Sequence, residues 1–459
     1  MATGGMALSK EFFELIKAIG ESKSKQEEDR IIAREVLKLK SKLEPVAPGA
    51  NHPLQSKKKA KEFLVRLLYV EMLGHDASFG YIKAVEMAAS QNLYMKRCGF
   101  LVCGACLPPT HEFRFMLVNQ IQRDLQSTNV LEVSGGVLAA TVIIGADMVP
   151  AVATEVTRLL SHESATLRKK SIVCLHKFHQ LADDVVTETQ LSEYLRKSLC
   201  DKDPSVMGSS LNVLEDMCRR NPQLYKELVP SLVSILKQVA EHRLPADFEY
   251  HRVPAPWIQM KLIRILGMLG HADASVSSGI YEILQQVMRQ ADTGINAGYA
   301  VVYECIKTIV RLYPNQQLLD MAADAISRFI QSRSHNLKYL GVTGLALIVE
   351  SHAQYAAQHQ LAVMDCLEDP DETLQRKTLD LLYRMTNPVN VEFIADKLVE
   401  FLSGTTDLFL KKLLTKRVCA IAEKYAPSNA WYIKTITVSC HVGAAFLCEK
   451  LSLQCFCLS

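Results

Sequence analysis

The chain has 459 residues, of which 49% are hydrophobic and 22% are charged, so it can bury one large core or two to three ordinary ones and is not a disordered protein. The formal net charge is only +3, which argues against a dedicated nucleic-acid binder. Aromatic residues make up 7% of the chain, and the aliphatic residues that remain favour helices packed on helices.

The N-terminal region carries most of the charge asymmetry. Residues 10–61 contain 13 Lys and Arg against eight Asp and Glu. Residues 44–56, rich in Pro, Gly and Asn, predict a flexible loop between a charged N-terminal helix and the next helix. Each lysine near an anionic leaflet contributes about 1 kcal/mol of attraction, so the lysine cluster after this loop is a candidate contact with anionic lipid. The composition is equally consistent with a solvated loop. That cluster is Lys57, Lys58, Lys59 and Lys61.

An internal repeat is the strongest pattern in the middle of the chain. Four segments share a nine-residue frame with an apolar residue first, a small one fifth, an apolar one sixth and Leu ninth. The segments begin at Leu167, Val206, Leu337 and Leu374, and a fifth, weaker one begins at Met95. Positions one, five and nine share a helix face, where a small fifth residue lets a neighbouring helix approach closely. A period near 40 residues with two helices per unit predicts a right-handed, all-α solenoid of HEAT/armadillo-like repeats.

Turns separate the predicted helices. Asp-Pro, Asn-Pro and Tyr-Pro pairs end one helix or begin the next, because proline lacks the backbone donor and biases its predecessor away from α. No alternating pattern predicts a strand, and residues 245–256 are expected to form a long connection. Residues 437–459 are expected to be an atypical tail.

The 13 cysteines are scattered through apolar runs, which is typical of reduced, buried thiols in a cytosolic protein. Charged residues interrupt the first 20 residues, so no signal peptide is predicted. No stretch approaches the roughly 20 apolar residues that cross a bilayer. We therefore expect a cytoplasmic protein whose membrane contact, if any, is peripheral.

Known catalytic motifs are missing, and the remaining candidates for chemistry are weak. Cys103 and Cys106 have redox-motif spacing but lie in a helical run, which favours packing over redox or zinc chemistry. His176 and His179 lack a third ligand at metal spacing. The acidic run 365–372 lacks the calcium-loop pattern and is expected to surround the N-terminus of a helix that begins near Glu372. We therefore predict no enzyme activity and no cofactor.

Five separated blocks carry a family resemblance. Residues 73–81, 167–170, 254–259, 336–341 and 423–431 resemble the trunk of the large subunits of heterotetrameric vesicle-coat adaptor complexes, the adaptins. Within this family, residues 23–25, 124–129, 254–257 and 424–431 are most similar to the subfamily of epsilon chains of the fourth adaptor complex. The resemblance covers roughly residues 10–436, which we expect to be the trunk.

The resemblance implies a large subunit that assembles with a beta-type large chain, a medium chain and a small chain. It also implies recruitment by an Arf-family GTPase to the trans-Golgi network, peripheral contact with the membrane, cargo sorting without catalysis, and no nucleic acid. The hinge and ear that follow the trunk in this family are expected to be absent. The alternative left open is another HEAT/armadillo scaffold, of the nuclear-transport or phosphatase kind.

The lysine cluster and one glycine can be compared with functional positions of the family. The cluster Lys57, Lys58, Lys59 and Lys61 resembles, loosely, the basic stretch with which the alpha chain of the plasma-membrane adaptor holds phosphoinositide headgroups, with Lys61 in register. Gly20 stands where related chains have an arginine that helps to hold acidic dileucine signals. The resemblance therefore implies a lipid contact at the lysines and no dileucine contact through residue 20.

Overall fold

The structure is a computed structural model that describes residues 9–43 and 57–442, except for the side chains of residues 57 and 58. The chain divides into two compact units, residues 1–216 and 217–459. The first unit contains ten helices in its described residues: α1 Lys10–Gly20, α2 Lys25–Leu43, α3 Lys57–Met72, α4 Tyr81–Ala88, α5 Leu93–Cys106, α6 Phe113–Leu125, α7 Val130–Ile143, α8 Val149–Arg158, α9 Ala165–Leu181 and α10 Glu188–Leu199.

An eleventh helix, α11 Pro204–Arg220, spans the boundary between the units. The described residues of the second unit form the remaining helices: α12 Val229–Ala240, α13 Pro256–Leu269, α14 Ala274–Ser278, α15 Tyr281–Ala291, α16 Asn296–Arg311, α17 Gln316–Ile330, α18 His335–Ser351, α19 Gln354–Asp365, α20 Glu372–Met385, α21 Val391–Gly404, α22 Leu408–Tyr425 and α23 Asn429–Val442. Short 3₁₀ segments lie at Ser78–Gly80, Ala146–Met148, Leu159–Ser161, Pro222–Leu228 and Ala246–Phe248.

Each unit is a stack of helix pairs in two layers. In the first unit α4, α6 and α8 form one layer and α3, α5, α7 and α9 the other, with each helix contacting its partner and its neighbours in the layer. The second unit repeats this order, with α16, α18 and α20 packed side by side in one layer and α17 and α19 in the other. The predicted fold class, an all-α solenoid of HEAT/armadillo-like repeats, is confirmed.

In each unit the nine-residue frame falls on helices of one layer, α5 and α9 in the first unit and α18 and α20 in the second. The five frame segments lie in α5, α9, α11, α18 and α20, and their sixth and ninth residues are buried. Where the fifth residue is polar, its hydroxyl donates a hydrogen bond back to the carbonyl of position one: Ser171 to Leu167, Ser210 to Val206 and Thr378 to Leu374, over 2.8–3.0 Å. The buried hydroxyls are thus satisfied without a partner in the next helix.

Glycine at the fifth position brings two helices into backbone contact. A Cβ at Gly99 of α5 would lie 2.3 Å from the backbone nitrogen of Ala88 in α4. A Cβ at Gly341 of α18 would lie 2.8 Å from the backbone nitrogen of Ile330 in α17. At these positions no side chain fits, so the close approach that the frame predicted is confirmed.

In three of the five frame segments, position two supplies a cation that reaches the next helix pair; two of these cations are buried and Lys338 is partly exposed. Lys96 donates to Asp124 over 2.7 Å. Arg168 forms a double hydrogen bond with Asp201, in the turn before α11, with both distances 2.7 Å. Lys338 donates to Asp369, in the turn before α20, over 2.8 Å.

Two of these cations lower the pKa of their partner carboxyl, whereas burial raises the pKa of Asp124, the partner of Lys96. The hydrogen bonds from Arg168 and Lys338 lower the pKa of Asp201 and of Asp369, respectively, below the ordinary 3.8. Removing one partner of such a pair would leave an uncompensated charge in a poorly hydrated place, so each pair favours the observed contact between consecutive repeats.

A buried arginine connects the first three helices. The Arg66 side chain on α3 is 3% exposed and its Nε donates to Glu35 of α2 over 2.7 Å. Its Nη1 lies 3.4 Å from Glu11 of α1 and 3.5 Å from Glu62 of α3. The N-terminal charged helix predicted from the sequence is therefore two helices, α1 and α2, held to α3 through one guanidinium group.

The long connection predicted at residues 245–256 contains a small hairpin. Strands β1 Glu249–Tyr250 and β2 Val253–Pro254 pair antiparallel. His251 and Arg252 form the two-residue turn, both with positive φ (48° and 65°). Such turns favour Asn and Gly, so His-Arg carries no turn signal, and the expectation of no strand was wrong here.

The tail expected at residues 437–459 begins inside a helix, because α23 extends to Val442. The loop expected at residues 44–56 and the tail from residue 443 lie outside the described residues.

We expect replacement of Gly99 by Ala to lower the free energy of unfolding by about 1–3 kcal/mol, because the added methyl group must separate α4 from α5. The matched control is Gly135→Ala in α7, where nothing lies within 4 Å of an added Cβ. That change should leave stability equal or raise it by up to about 1 kcal/mol. Thermal unfolding followed by circular dichroism measures both variants, and an equal response would contradict the backbone contact.

Candidate functional site

The predicted lysine cluster lies at the start of α3. Lys57 is the first residue of that helix, Lys59 is exposed and Lys61 is half-buried. The Lys61 Nζ lies 5.9 Å from the centroid of the Tyr94 ring on α5, in cation–π geometry. The side chains of Lys57 and Lys58 lie outside the described residues.

The electrostatics of this helix end favour an anion. A helix N-terminus carries a partial positive charge, and carboxylates normally occupy its first turn. The first turn of α3 contains no acid, and lysines stand there instead. Glu62 follows, but its carboxylate accepts a hydrogen bond from Ser9 and lies 3.5 Å from Arg66. In the part of the chain that the structure describes, no acid lies in the first turn of α3, so this helix end is suited to an anion.

An apolar groove continues from Lys61 across the layer formed by α3, α5 and α7. We call it the N-terminal groove; its volume is about 570 Å³. Tyr94 and Leu101 of α5 and Leu138 and Val142 of α7 line it, and each of these side chains is at least half exposed. A contiguous exposed apolar surface of this kind marks an interaction site.

Basic residues border the N-terminal groove. Lys61 and Arg97 are part of its lining. Lys170 of α9 donates to Ser134 of α7 over 2.7 Å, and burial, together with the nearby Arg97 and Lys169, lowers its pKa. The border would therefore favour a partner surface that is apolar with acidic edges.

No motif in the sequence marks the residues of the N-terminal groove. The missed signal is in α7, where Val130–Ile143 is apolar on every side rather than on one stripe. A helix that is apolar all round needs neighbours on every side. In the described residues α7 has helices on its buried sides only, which leaves Leu138 and Val142 without cover.

The other candidate side chains have structural roles. Cys103 and Cys106 are buried within α5, and burial raises the pKa of both thiols to about 12. His176 Nε2 lies 2.9 Å from Asp216, and His179 Nδ1 lies 2.8 Å from the carbonyl of Val186. The two histidines therefore do not converge on a common metal position.

The acidic run 365–372 surrounds a helix N-terminus, as predicted. Helix α20 begins at Glu372, and the Asp371 side chain accepts from the backbone N–H of Leu374 over 2.8 Å. Asp369 is buried and pairs with Lys338 and His335. The prediction of a capped helix start is thus confirmed.

One cluster of metal-ligand types occurs in the described part of the chain. Glu28, Asp29 and His75 have ligand atoms within 4.8 Å of one another. The Lys25 ammonium lies 2.8 Å from Glu28 and 3.3 Å from Asp29, so it already offsets one of these two negative charges. Across the described helices, none is long and apolar enough to cross a membrane.

Comparison with known proteins identifies the family. A sequence profile described as "Adaptin N terminal region" matches residues 28–440. The chain belongs to the adaptin family. The match confirms the resemblance drawn from the five sequence blocks and includes the lysine cluster and the N-terminal groove of this adaptin.

Individual relatives agree with this assignment. The adaptin chain is 46% identical over 432 residues to the AP-4 complex subunit epsilon of Arabidopsis thaliana, covering 94% of this chain and 45% of the relative. It is 39% identical over 445 residues to the AP-4 complex subunit epsilon-1 of Homo sapiens, covering 96% and 38%. Identity to the AP-1 complex subunit gamma of Dictyostelium discoideum is 27%, covering 97% and 49%. The chain spans less than half the length of each of these relatives.

Two solved structures share the fold. One is titled a homology model of the full-length AP-3 complex in an intermediate open conformation (TM-score 0.58, 17% identity, 86% of this chain and 74% of that chain). The other contains Kap95p with RanGDP (TM-score 0.57, 13% identity, 94% and 55%). At these sequence identities both comparisons show the fold alone. The match to the adaptin profile favours the adaptin family over the alternative of a nuclear-transport scaffold.

We expect the thiols of Cys103 and Cys106 to resist alkylation at pH 8 in the folded chain, because burial keeps them protonated and inaccessible. Exposed Cys200 is the internal control and should react. Mass spectrometry of peptides after brief labelling, with and without denaturant, measures each site. Rapid labelling of Cys103 or Cys106 without denaturant would restore the redox interpretation.

Proposed function

We propose that the chain is a non-enzymatic large subunit of a vesicle-coat adaptor complex, with residues 1–436 as the trunk that scaffolds the complex core. The family match over residues 28–440 carries this proposal. The relatives at 39–46% identity are named as AP-4 epsilon subunits, which supports the same class of complex. Cargo sorting at the trans-Golgi network and recruitment by an Arf-family GTPase belong to this proposal.

The N-terminal groove is the surface on which we place another chain of the complex. A solenoid offers long faces to other chains without a catalytic pocket. The groove exposes four apolar side chains in one patch, those of Tyr94, Leu101, Leu138 and Val142. Contact of this apolar surface with water is unfavourable, and a partner packed on it would exclude the water. The small chain, as the smallest predicted partner, is the one we propose for it.

The lysine cluster is the surface that we propose for the membrane. Its positive charges reinforce the positive end of α3, and the acid next to them, Glu62, is engaged by Ser9 and Arg66. This arrangement suits phosphate-bearing headgroups, which accept several hydrogen bonds from ammonium groups. Contact with the bilayer would be peripheral and electrostatic. Gly20, at the exposed end of α1, brings no cation for a dileucine signal.

Co-expression with beta-type, medium and small adaptor chains should give a stable complex. Within it, Leu138→Asp should weaken the small chain's association by about tenfold or more, because a charge then enters an apolar contact. The matched control is Leu131→Asp, on the same helix and similarly exposed (62% against 54% for Leu138), but outside the groove. Size-exclusion chromatography and pull-down measure the association.

The two parts of this proposal fail separately. A wild-type chain that remains monomeric in the presence of all three partners would contradict the adaptor function. If the wild-type complex forms, but Leu138→Asp and Leu131→Asp weaken the association of the small chain to the same extent or leave it unchanged, the groove is not the contact.

Replacing Lys59 and Lys61 by Glu should reduce binding to phosphoinositide-containing vesicles by about 30-fold or more, since each lysine contributes about 1 kcal/mol. Extending the change to Lys57 and Lys58 should reduce it further. The control replaces exposed Lys197 and Lys202 by Glu. Sedimentation at two salt concentrations measures binding, which should weaken as salt rises. Equal sedimentation of both variants would exclude the cluster as the lipid contact.

A further inference from the structure

A second groove lies near the end of the second unit and has the opposite charge. We call it the acidic groove; its volume is about 800 Å³, within the range of pockets that hold ligand groups. It is bounded by α19, the N-terminal turns of α20 and α22, and α21. The proposed adaptor function does not account for it.

The floor of the acidic groove is apolar and uncovered. Leu361 of α19 is 81% exposed and Phe393 of α21 is 44% exposed. Met364, Leu367 and Phe401 also line it. An apolar floor of this size between two helices accommodates one or two bulky side chains from a partner.

The border of the groove is negatively charged. Five carboxylates line it, against two cations, so the lining has a net charge of −3, although the chain as a whole is at +3. The carboxylates are Asp365, Glu368, Glu372, Glu400 and Asp407, and the cations are Arg376 and Lys397. Arg376 lies 3.0 Å from Asp407 and Lys397 lies 2.8 Å from Glu400. These pairs are partly exposed, so they are worth at most about 1 kcal/mol and can exchange partners.

The acidic run noted in the sequence therefore divides into two groups. Asp369 and Asp371 are used inside the fold, by Lys338 and by the N-terminus of α20. Asp365, Glu368 and Glu372 are exposed and face the groove. Asp365 and Glu368 lie outside α20, whereas Glu372 is in its first turn and 3.7 Å from Arg376, so Asp365 and Glu368 are the members of the second group most accessible to an external ligand.

We propose that the acidic groove binds a short basic peptide segment of a partner protein, with one or two bulky apolar side chains on the floor and Arg or Lys side chains at the border. The charge of the border selects a cation and excludes an anionic headgroup or nucleic acid. The apolar floor favours binding of a peptide with apolar side chains over binding of a simple cation. This binding is independent of the adaptor function and of the N-terminal groove.

The test uses the full-length chain and a fluorescent synthetic 12-residue peptide with four Arg, one Leu and one Phe. Fluorescence anisotropy should show saturable binding that weakens as salt rises. Two comparison peptides replace the four Arg by Glu or the two apolar residues by Ser, and each should bind about tenfold more weakly or not at all.

Matched variants locate the binding. Asp365→Lys with Glu368→Lys, and separately Leu361→Ser, should each weaken the basic peptide by about tenfold or more. All three positions are exposed, so these changes leave the fold intact. The control, Glu392→Lys with Asp396→Lys, makes the same charge change at exposed positions of α21 outside the groove and should alter binding by about twofold at most.

Three results would overturn the proposal: absence of binding by the basic peptide, equal binding of the peptide without apolar anchors, or equal weakening in the control variant. The last two would mean that the chain attracts cations by charge alone. None of these results affects the co-expression experiment, so the two proposals are decided separately.

Discussion

Backbone contact between paired helices is the constraint on which the rest of the structure depends. Where Gly99 or Gly341 stands, a side chain would overlap the backbone of the preceding helix. Ser171, Ser210 and Thr378 take the same position in other repeats and satisfy their hydroxyls within their own helix. Polar contacts between neighbouring helices come from the helix ends, where Arg168 and Lys338 reach the next turn, and from within the helices, where Lys170 of α9 donates to Ser134 of α7.

Much of this fold is predictable from the sequence because its rules are local. Apolar spacing, a small residue at one frame position and proline at the turns all act within one helix pair, so the frame identifies α9, α11, α18 and α20 correctly. The hairpin at residues 249–254 was not predictable, since His251 and Arg252 hold a positive φ that favours Asn or Gly. Only the packed structure shows the turn, next to which Val253 is buried.

The candidate sites are less predictable than the fold, for a physical reason. The lysine cluster is contiguous in sequence and was visible, but the N-terminal groove combines Lys61, Leu101 and Leu138 from three helices. Their common face depends on how α3, α5 and α7 pack, which no single helix encodes. The acidic groove is intermediate: three of its five acids form a run in the sequence, whereas Phe393 and Leu361 come from different helices.

Function in such a scaffold is decided by surface chemistry rather than by fold. An adaptor assembly and a nuclear-import protein match this chain with TM-scores of 0.58 and 0.57, so the helix stack is common to proteins with different partners. The core positions that produce the stack, such as Leu175 and Leu382, are buried and cannot contact a partner. Partner choice must then depend on exposed residues that the fold leaves free to vary. In this chain those residues form an apolar surface with a basic border in one unit and an apolar surface with an acidic border in the other, which would select partners of opposite charge.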